Sequence, residues 1–180
     1  MKIIKSKKKF IYLISPNKIK SNFYSDLKKV LALNRTNFFQ LRLKNTSLKK
    51  QIIIGRKIKK ICKFYKVKFL INDNPNVVKK INADGCHLGQ KDMKLYDARD
   101  LIGNKIIGVT CHNSIKLAKK AIKNNADYIA LGAFNFSKTK KVKYKANIGL
   151  LRRAKQTVNA PIVAIGGINS KNYKKLLLNN

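Results

Sequence analysis

"NADGCHLG" at residues 82–89 returns as "NADYIALG" at 125–132, and this echo decides between the folds open to the chain. In each copy a lysine-rich helical segment ends and an apolar strand begins. Asn and Asp can close such a turn through hydrogen bonds between side chain and backbone. Asp84 and Asp127 are therefore expected to be structural. Outward from the echo, short β-branched runs recur: "FIYLIS" (10–15), "NFFQLRLK" (37–44), "KFLIND" (68–73), "GCHLG" (85–89), "KIIGVTC" (105–111), "DYIALGAF" (127–134) and "PIVAIGG" (161–167). Between most of them the apolar residues follow a helical period. Phe23, Leu27, Val30 and Leu31 share one face, and so do Leu48, Ile52, Ile58, Ile61 and Cys62 after Ser47, an N-cap candidate. Ile115, Ala118, Ala121 and Ile122 follow Asn113, another cap candidate, and shorter helices are predicted over 75–82 and 95–102. Strand alternating with helix reads as βαβ units and a parallel sheet.

Seven such strands suit either an open doubly wound sheet or a (β/α)8 barrel. Equivalent turns repeated at the strand entries favour the barrel, where that face supplies stability and chemistry gathers at the C-terminal strand ends. "KKLLLNN" (174–180) matches the approach to the second copy of the echo as far as its "NN". The expectation is a single α/β domain over 1–180, a TIM (β/α)8-type barrel with its eighth strand missing from this chain. Strands one and seven then have unpaired edges, which invite association and leave room for a homo-oligomer.

The chain carries a formal charge of +35, with seven aspartates and no glutamate among its 180 residues. Its lysines are spread through every helical segment and accompany an excess of asparagine and isoleucine. That reads as lysine filling solvated faces, not as a specific nucleic-acid stripe, although the field still concentrates small anions. No apolar run is long enough to span a bilayer, and the apolar stretch near the N-terminus is too short for a secretory signal. Cys62, Cys86 and Cys111 form no CxxC pair, which fits free thiols in a reducing cytoplasm.

The strand ends hold the polar groups. Gln40, Arg42 and Lys44 alternate with apolar residues, so period-two spacing puts all three on one face, which a barrel can turn into its mouth. Asn72 and Asp73 end the third run, and Gln90 and Asp92 follow the fourth. Taken singly, Asp73 could serve an Asx turn before Pro75, and Asp92 a helix cap. As a pair on neighbouring strands they suit Mg2+, which takes few protein ligands and keeps waters and substrate phosphates. Thr110 ends the fifth run. Ser137, Thr139 and Lys140 follow the sixth, and Gly166-Gly167 before a helix offers backbone amides to a phosphate. His87 lies mid-strand and reads as a core histidine, and Cys111 and His112 should point to opposite faces. A diphosphate site without a covalent nucleophile is the chemistry this set supports.

With these residues assembled, the chain resembles the thiamine-phosphate synthase family, which includes the related thiazole tautomerases. The segments "QLRLK", "IND", "DGCHLGQKD", "IIGVTCH", "ADYIALGAF…SKTK" and "PIVAIGGI" carry the resemblance over about residues 10 to 170. It implies a (β/α)8 enzyme, a transferase joining hydroxymethylpyrimidine diphosphate to thiazole phosphate with release of diphosphate. By that resemblance Gln40 recognises the aminopyrimidine. Arg42, Lys44, Asn72 and Lys140 hold the diphosphate, with Arg42, Lys44 and Lys140 carrying the catalytic charge stabilisation. Asp73 and Asp92 bind Mg2+. Thr110 stands where the family has a serine, Ser137 and Thr139 contact the thiazole phosphate, and Gly167 contacts its phosphate.

Ser137 replaces the threonine of a TxTK-like motif, and Lys91 stands where an acidic residue is common in GQ(E/D)D. The missing eighth strand would leave the site begun by Gly167 incomplete. A thiazole tautomerase is the first alternative, but its histidine base is expected near the sixth strand's end, where this chain has Ala133 and Phe134. A non-catalytic phosphate-ligand-binding relative and a basic RNA-binding module are the others.

Overall fold

A computed structural model of the chain describes residues 9–136 and 143–178. These fall into two compact units, one built mainly from residues 8–88 with 92–106, the other from 107 onward with 89–91. The first unit holds β1 (Ile11–Ile14), α1 (Phe23–Ala32), β2 (Thr36–Leu41), α2 (Leu48–Phe64), β3 (Lys68–Asn72), α3 (Pro75–Ile81), β4 (Gly85–Leu88) and α4 (Leu95–Ile102). The second holds β5 (Ile106–Thr110), α5 (Ile115–Lys123), β6 (Tyr128–Gly132), α6 (Ile148–Thr157), β7 (Ile162–Ile165) and α7 (Tyr173–Leu178). Within each unit the strands pair in parallel and in sequence order. Every one of the seven predicted strands is present.

The core of the first unit is centred on β3, where Phe69, Leu70 and Ile71 are all buried. A strand buried on both faces needs a continuous apolar run, and "FLI" supplies one. Leu27 and Leu31 of α1, one helical turn apart, and Ile58 and Cys62 of α2, likewise spaced, are the buried faces of their helices. In the second unit Ile129, Ala130 and Leu131 of β6 are fully buried, as are Ala118 of α5 and Leu151 and Ala154 of α6. Each Leu or Ile so buried contributes roughly 1.5–3 kcal/mol. Ile11 and Ile14 of the end strand β1 are instead 50% and 45% exposed.

The two copies of the echo share one mechanism. Asn82 and Asn125 have φ of 52° and 67°, the left-handed conformation that ends helices and that asparagine tolerates. The next amide turns back onto the helix, Ala83 N to Val78 O at 3.1 Å and Ala126 N to Ala121 O at 3.0 Å. The aspartate then joins the preceding strand: Asp84 Oδ2 accepts from Phe69 N at 2.9 Å, and Asp127 Oδ2 accepts from Ile107 N at 2.7 Å. Both aspartates are structural, as expected, whereas the asparagines act through backbone conformation. Asp127→Ala should lower the unfolding free energy by about 2 kcal/mol, because the buried Ile107 N–H loses a charged acceptor. Urea denaturation checks this, and Asp127→Asn, which keeps an acceptor, should lose less.

Two local expectations are corrected. Ser47 caps α2 by accepting from Lys50 N. At α5, however, the cap is Ser114, which accepts from Leu117 N, while Asn113 Nδ2 donates to Lys145 O. Both have side chains able to cap, and the one whose neighbour first turns helical takes the role. Second, β2 stops at Leu41, so Arg42 and Lys44 lie beyond the strand. The ladder ends there because Arg42 N donates to Ser15 Oγ at 2.9 Å, and Asn45 then turns with φ of 52°.

Candidate active site

In the first unit, the ends of β2, β3 and β4 assemble six of the predicted residues. Gln40 closes β2 and is buried, with its amide engaged at both ends. Tyr12 OH donates to Oε1 at 2.9 Å, and Nε2 donates to Asn72 Oδ1 at 2.5 Å. Arg42 is half-buried and its guanidinium donates to Asn17 Oδ1 at 2.8 Å. Lys44 is exposed. Ser15 N also donates to Gln40 O at 2.9 Å, so the end of β1 fastens the end of β2 by three separate hydrogen bonds.

The competing roles for the two carboxylates are taken by other residues. Asn74, not Asp73, caps α3 by accepting from Val77 N, with Pro75 in the first turn. Lys94 stands at the N-cap of α4, so Asp92 is not the cap there. Asp73, with φ of 62° and its N–H on His87 O at 2.8 Å, turns its side chain to Asp92. Burial pushes the Asp73 carboxyl up to about 6, helped by the hydrogen bond and negative charge of Asp92 and opposed by Lys44 and Arg42. Two carboxylates set against each other raise the cost of charge on Asp73, and a divalent cation between them would relieve it.

No cluster of three or more His, Cys, Asp or Glu suited to a metal occurs among the described residues. An all-protein cage is therefore not what this site offers. Two carboxylates fit a hard divalent cation that completes its shell with water and phosphate. His87 in β4 is buried, and burial lowers it to about 4 against the pull of Asp92, so it is neutral at pH 7. It is a core histidine, as the sequence indicates.

In the second unit Thr110 closes β5, and its carbonyl accepts from Gln90 Nε2 at 2.6 Å. Gln90 thus holds backbone. Gly166 and Gly167 follow β7 with φ of 94° and 64°. A side chain on Gly167 would collide with the carbonyl of Phe136 and the backbone of Asn135, so only glycine lets the two segments meet. The helix expected immediately after this turn begins later, at Tyr173. Before it, Asn172 Oδ1 accepts from Asn169 N and Asn169 Oδ1 accepts from Lys171 N, both at 2.9 Å, while Asn172 Nδ2 donates to Gly167 O. The glycine turn is therefore stiffened by asparagine side chains. Ser137, Thr139 and Lys140 lie outside the described residues.

Tyr12, Ser15 and Asn17 were not among the residues read from the strand ends. For Ser15 and Asn17 the signal was present, since "SPN" follows the end of β1 and the same reading extends to it, whereas Tyr12 lies within the strand.

The family model described as thiamine monophosphate synthase matches residues 11–180. A thiamine-phosphate synthase of Pelagibacter ubique is 63% identical over 180 residues, spanning 99% of this chain and 87% of the relative. That of Clostridium tetani is 41% identical over 170 residues, spanning 92% and 80%. Among solved structures, a thiamine phosphate pyrophosphorylase from Pyrococcus furiosus superposes with a TM-score of 0.84 at 27% identity, covering 95% of this chain and 81% of that one. The fold class is thus the TIM-type (β/α) barrel, and with a matching family model across its length the chain belongs to the thiamine monophosphate synthase family.

Proposed function

We propose that this chain is a transferase condensing hydroxymethylpyrimidine diphosphate with thiazole phosphate to give thiamine phosphate and diphosphate. The observation that carries this reading is the Asp73–Asp92 carboxyl pair, set beside Arg42 and Lys44 and freed from capping by Asn74 and Lys94. A pair of acids facing a pair of bases is what a metal-chelated diphosphate requires.

Gln40 reads the aminopyrimidine edge, its carbonyl accepting from the amino group and its N–H donating to the adjacent ring nitrogen. Arg42 and Lys44 hold the diphosphate, with Arg42 aimed by Asn17, and Asn72 supports both Gln40 and the diphosphate. Asp73 and Asp92 would hold Mg2+, which when bound would supply positive charge to the leaving oxygens. As the C–O bond breaks, its electron pair leaves with the diphosphate, and Arg42, Lys44 and Lys140 stabilise the growing negative charge. The pyrimidine-methyl cation left behind is stabilised by its own amino group, and the thiazole nitrogen captures it. Thr110, Ser137, Thr139 and Gly167 are assigned to substrate contacts, the last three to the thiazole phosphate.

The test is a coupling assay with both substrates and Mg2+, comparing the unmutated chain with Arg42→Ala. Losing a charge-assisted contact to the leaving group should cut kcat/KM by about tenfold to a hundredfold. Equal rates would remove Arg42 from the mechanism. Isomerisation of a thiazole carboxylate phosphate, with no product from the pyrimidine diphosphate, would establish the tautomerase instead.

A further inference from the structure

We infer that Tyr12 is a positioning residue for substrate recognition, fixing the orientation of the Gln40 amide through the chain Tyr12–Gln40–Asn72. The inference rests on the synthase reading above, in which Gln40 meets the pyrimidine. Three observations in one unit support it. First, β1 and β2 are in parallel register with Tyr12 opposite Phe38 and Ile14 opposite Gln40. Phe38 and Gln40 are two residues apart and so share a face. One tyrosine on the neighbouring strand can therefore lie across both. Its ring stacks on Phe38 with centroids 5.9 Å apart and planes 16° from parallel, and its hydroxyl reaches Gln40 Oε1 at 2.9 Å.

Second, the amide is held at its other end as well, because Gln40 Nε2 donates to Asn72 Oδ1. A glutamine amide can be inverted about its last torsion at little cost when its surroundings do not distinguish oxygen from nitrogen. With Asn72 held as it stands, they do: inversion would set Oε1 against Asn72 Oδ1, two acceptors face to face, and would turn the Tyr12 hydroxyl from donor to acceptor. Third, Gln40 is only 3% exposed, so solvent cannot compensate an inverted amide.

The consequence concerns specificity. A 4-aminopyrimidine presents a donor beside an acceptor, matching a fixed carbonyl beside a fixed N–H. The 4-oxo analogue presents the reverse pattern and would require the inverted amide. The relay uses one of the two lone pairs of Oε1 and one of the two hydrogens of Nε2, so the remaining one of each suits the amino edge. Asn72 thereby acquires a role besides its assignment to the diphosphate, and Tyr12 acts through Gln40 without touching a reacting atom.

Tyr12→Phe deletes the hydroxyl and keeps the ring on Phe38. In steady-state assays it should raise KM for the aminopyrimidine diphosphate about fivefold, leave KM for thiazole phosphate unchanged, and shrink the preference for amino over oxo substrate. On a Gln40→Ala background the same substitution should add nothing, since the group it positions is gone. Because Gln40 Oε1 loses its donor, Tyr12→Phe should melt a few degrees below the parent, and the KM values are compared well below either melting temperature. Unchanged KM and preference in Tyr12→Phe would overturn the inference, as would equal rises in both KM values or an undiminished effect without Gln40. Absence of product from the unmutated chain is a different result. It removes the synthase reading, and this inference with it.

Discussion

Asp73→Asn should melt at a higher temperature than the unmutated protein at pH 8 and form product at least a hundredfold more slowly. The stability half follows from the carboxyl's environment. Burial first, then Asp92, lifts the Asp73 carboxyl from 3.8 to about 6. A raised carboxyl means that the folded state keeps a proton the unfolded chain has already released. Between about pH 4 and pH 6 the folded protein binds more protons, so its stability falls as pH rises through that window. Above it the cost is fully present. Asparagine stays neutral throughout, keeps the shape, and tolerates the φ of 62° at this position. Two units would correspond to about 3 kcal/mol if wholly shielded. Because the group is only partly buried, screening reduces this to about 1 kcal/mol, or roughly 2–4 °C for a chain of this size.

The activity half follows from the same charge. The carboxylate that is costly alone is what a divalent cation and its diphosphate need opposite Arg42 and Lys44. Removing one of two such carboxylates forfeits several kcal/mol of charge stabilisation, a factor on the order of 10²–10³. Adding Mg2+ with diphosphate should raise the melting temperature of the parent at pH 8 but not that of Asp73→Asn. The two halves together separate a binding site from a structural ion cluster. A structural carboxylate would lose stability on neutralisation; a variant that melts lower and retains its rate would place Asp73 in the scaffold.

The sequence carried the strands well because each is a short apolar run, buried almost throughout in β3 to β6, and bounded by turns whose residues have specific jobs. The boundaries were less visible. Whether β2 continues to Lys44 depends on Ser15, 27 residues earlier in the chain, taking the N–H of Arg42. Period-two spacing cannot report that a distant hydroxyl has ended the ladder. The pairing of Asp73 with Asp92 was legible from their places at the tips of neighbouring strands, and what the spacing does not report is the cap that frees Asp73. Pro at the start of α3 makes its predecessor, Asn74, the natural cap, which releases Asp73. Tyr12 was the opposite case. Nothing in "FIYLIS" distinguishes a tyrosine that fills space from one that aims a glutamine, since the difference lies in the register of β1 against β2.

Gly85→Ala is expected to be severely destabilising, because of the one place where the two copies of the echo differ sharply. In "NADGCHLG" the residue after Asp84 is glycine, and in "NADYIALG" the residue after Asp127 is tyrosine. Equivalent positions therefore hold the smallest side chain and one of the largest. Tyr128 is accommodated because its partner in the β5–β6 register is Gly108, where a Cβ would fall inside the tyrosine ring. Gly85 has no such allowance. A Cβ there would meet the carbonyl and Cα of Ile106. That backbone cannot swing aside, for Ile106 N is itself bonded to Asp84 O at 3.0 Å, and Asp84 N to Phe69 O at 3.0 Å. Relief requires breaking this ladder or moving a strand, and either exposes buried amides and opens the core beside Phe69. A cost above about 4 kcal/mol is expected, a large part of the 5–15 kcal/mol typical of a folded domain. Gly55→Ala in α2 is the control. Its Cβ would crowd the Cδ1 methyl of Ile81 at 2.8 Å, the movable end of a side chain, and touch Leu41 and Ile71 side chains at ordinary contact distance, while alanine favours the helix by about 1 kcal/mol over glycine. Urea denaturation should show Gly55→Ala within about 1 kcal/mol of the parent and Gly85→Ala less stable than the parent by at least about 4 kcal/mol. If Gly85→Ala melts within about 2 °C of the parent, the strand entry is looser than its hydrogen bonds imply. The repeated turn would then owe its rigidity to the aspartates alone, and the glycine would be an accident of sequence.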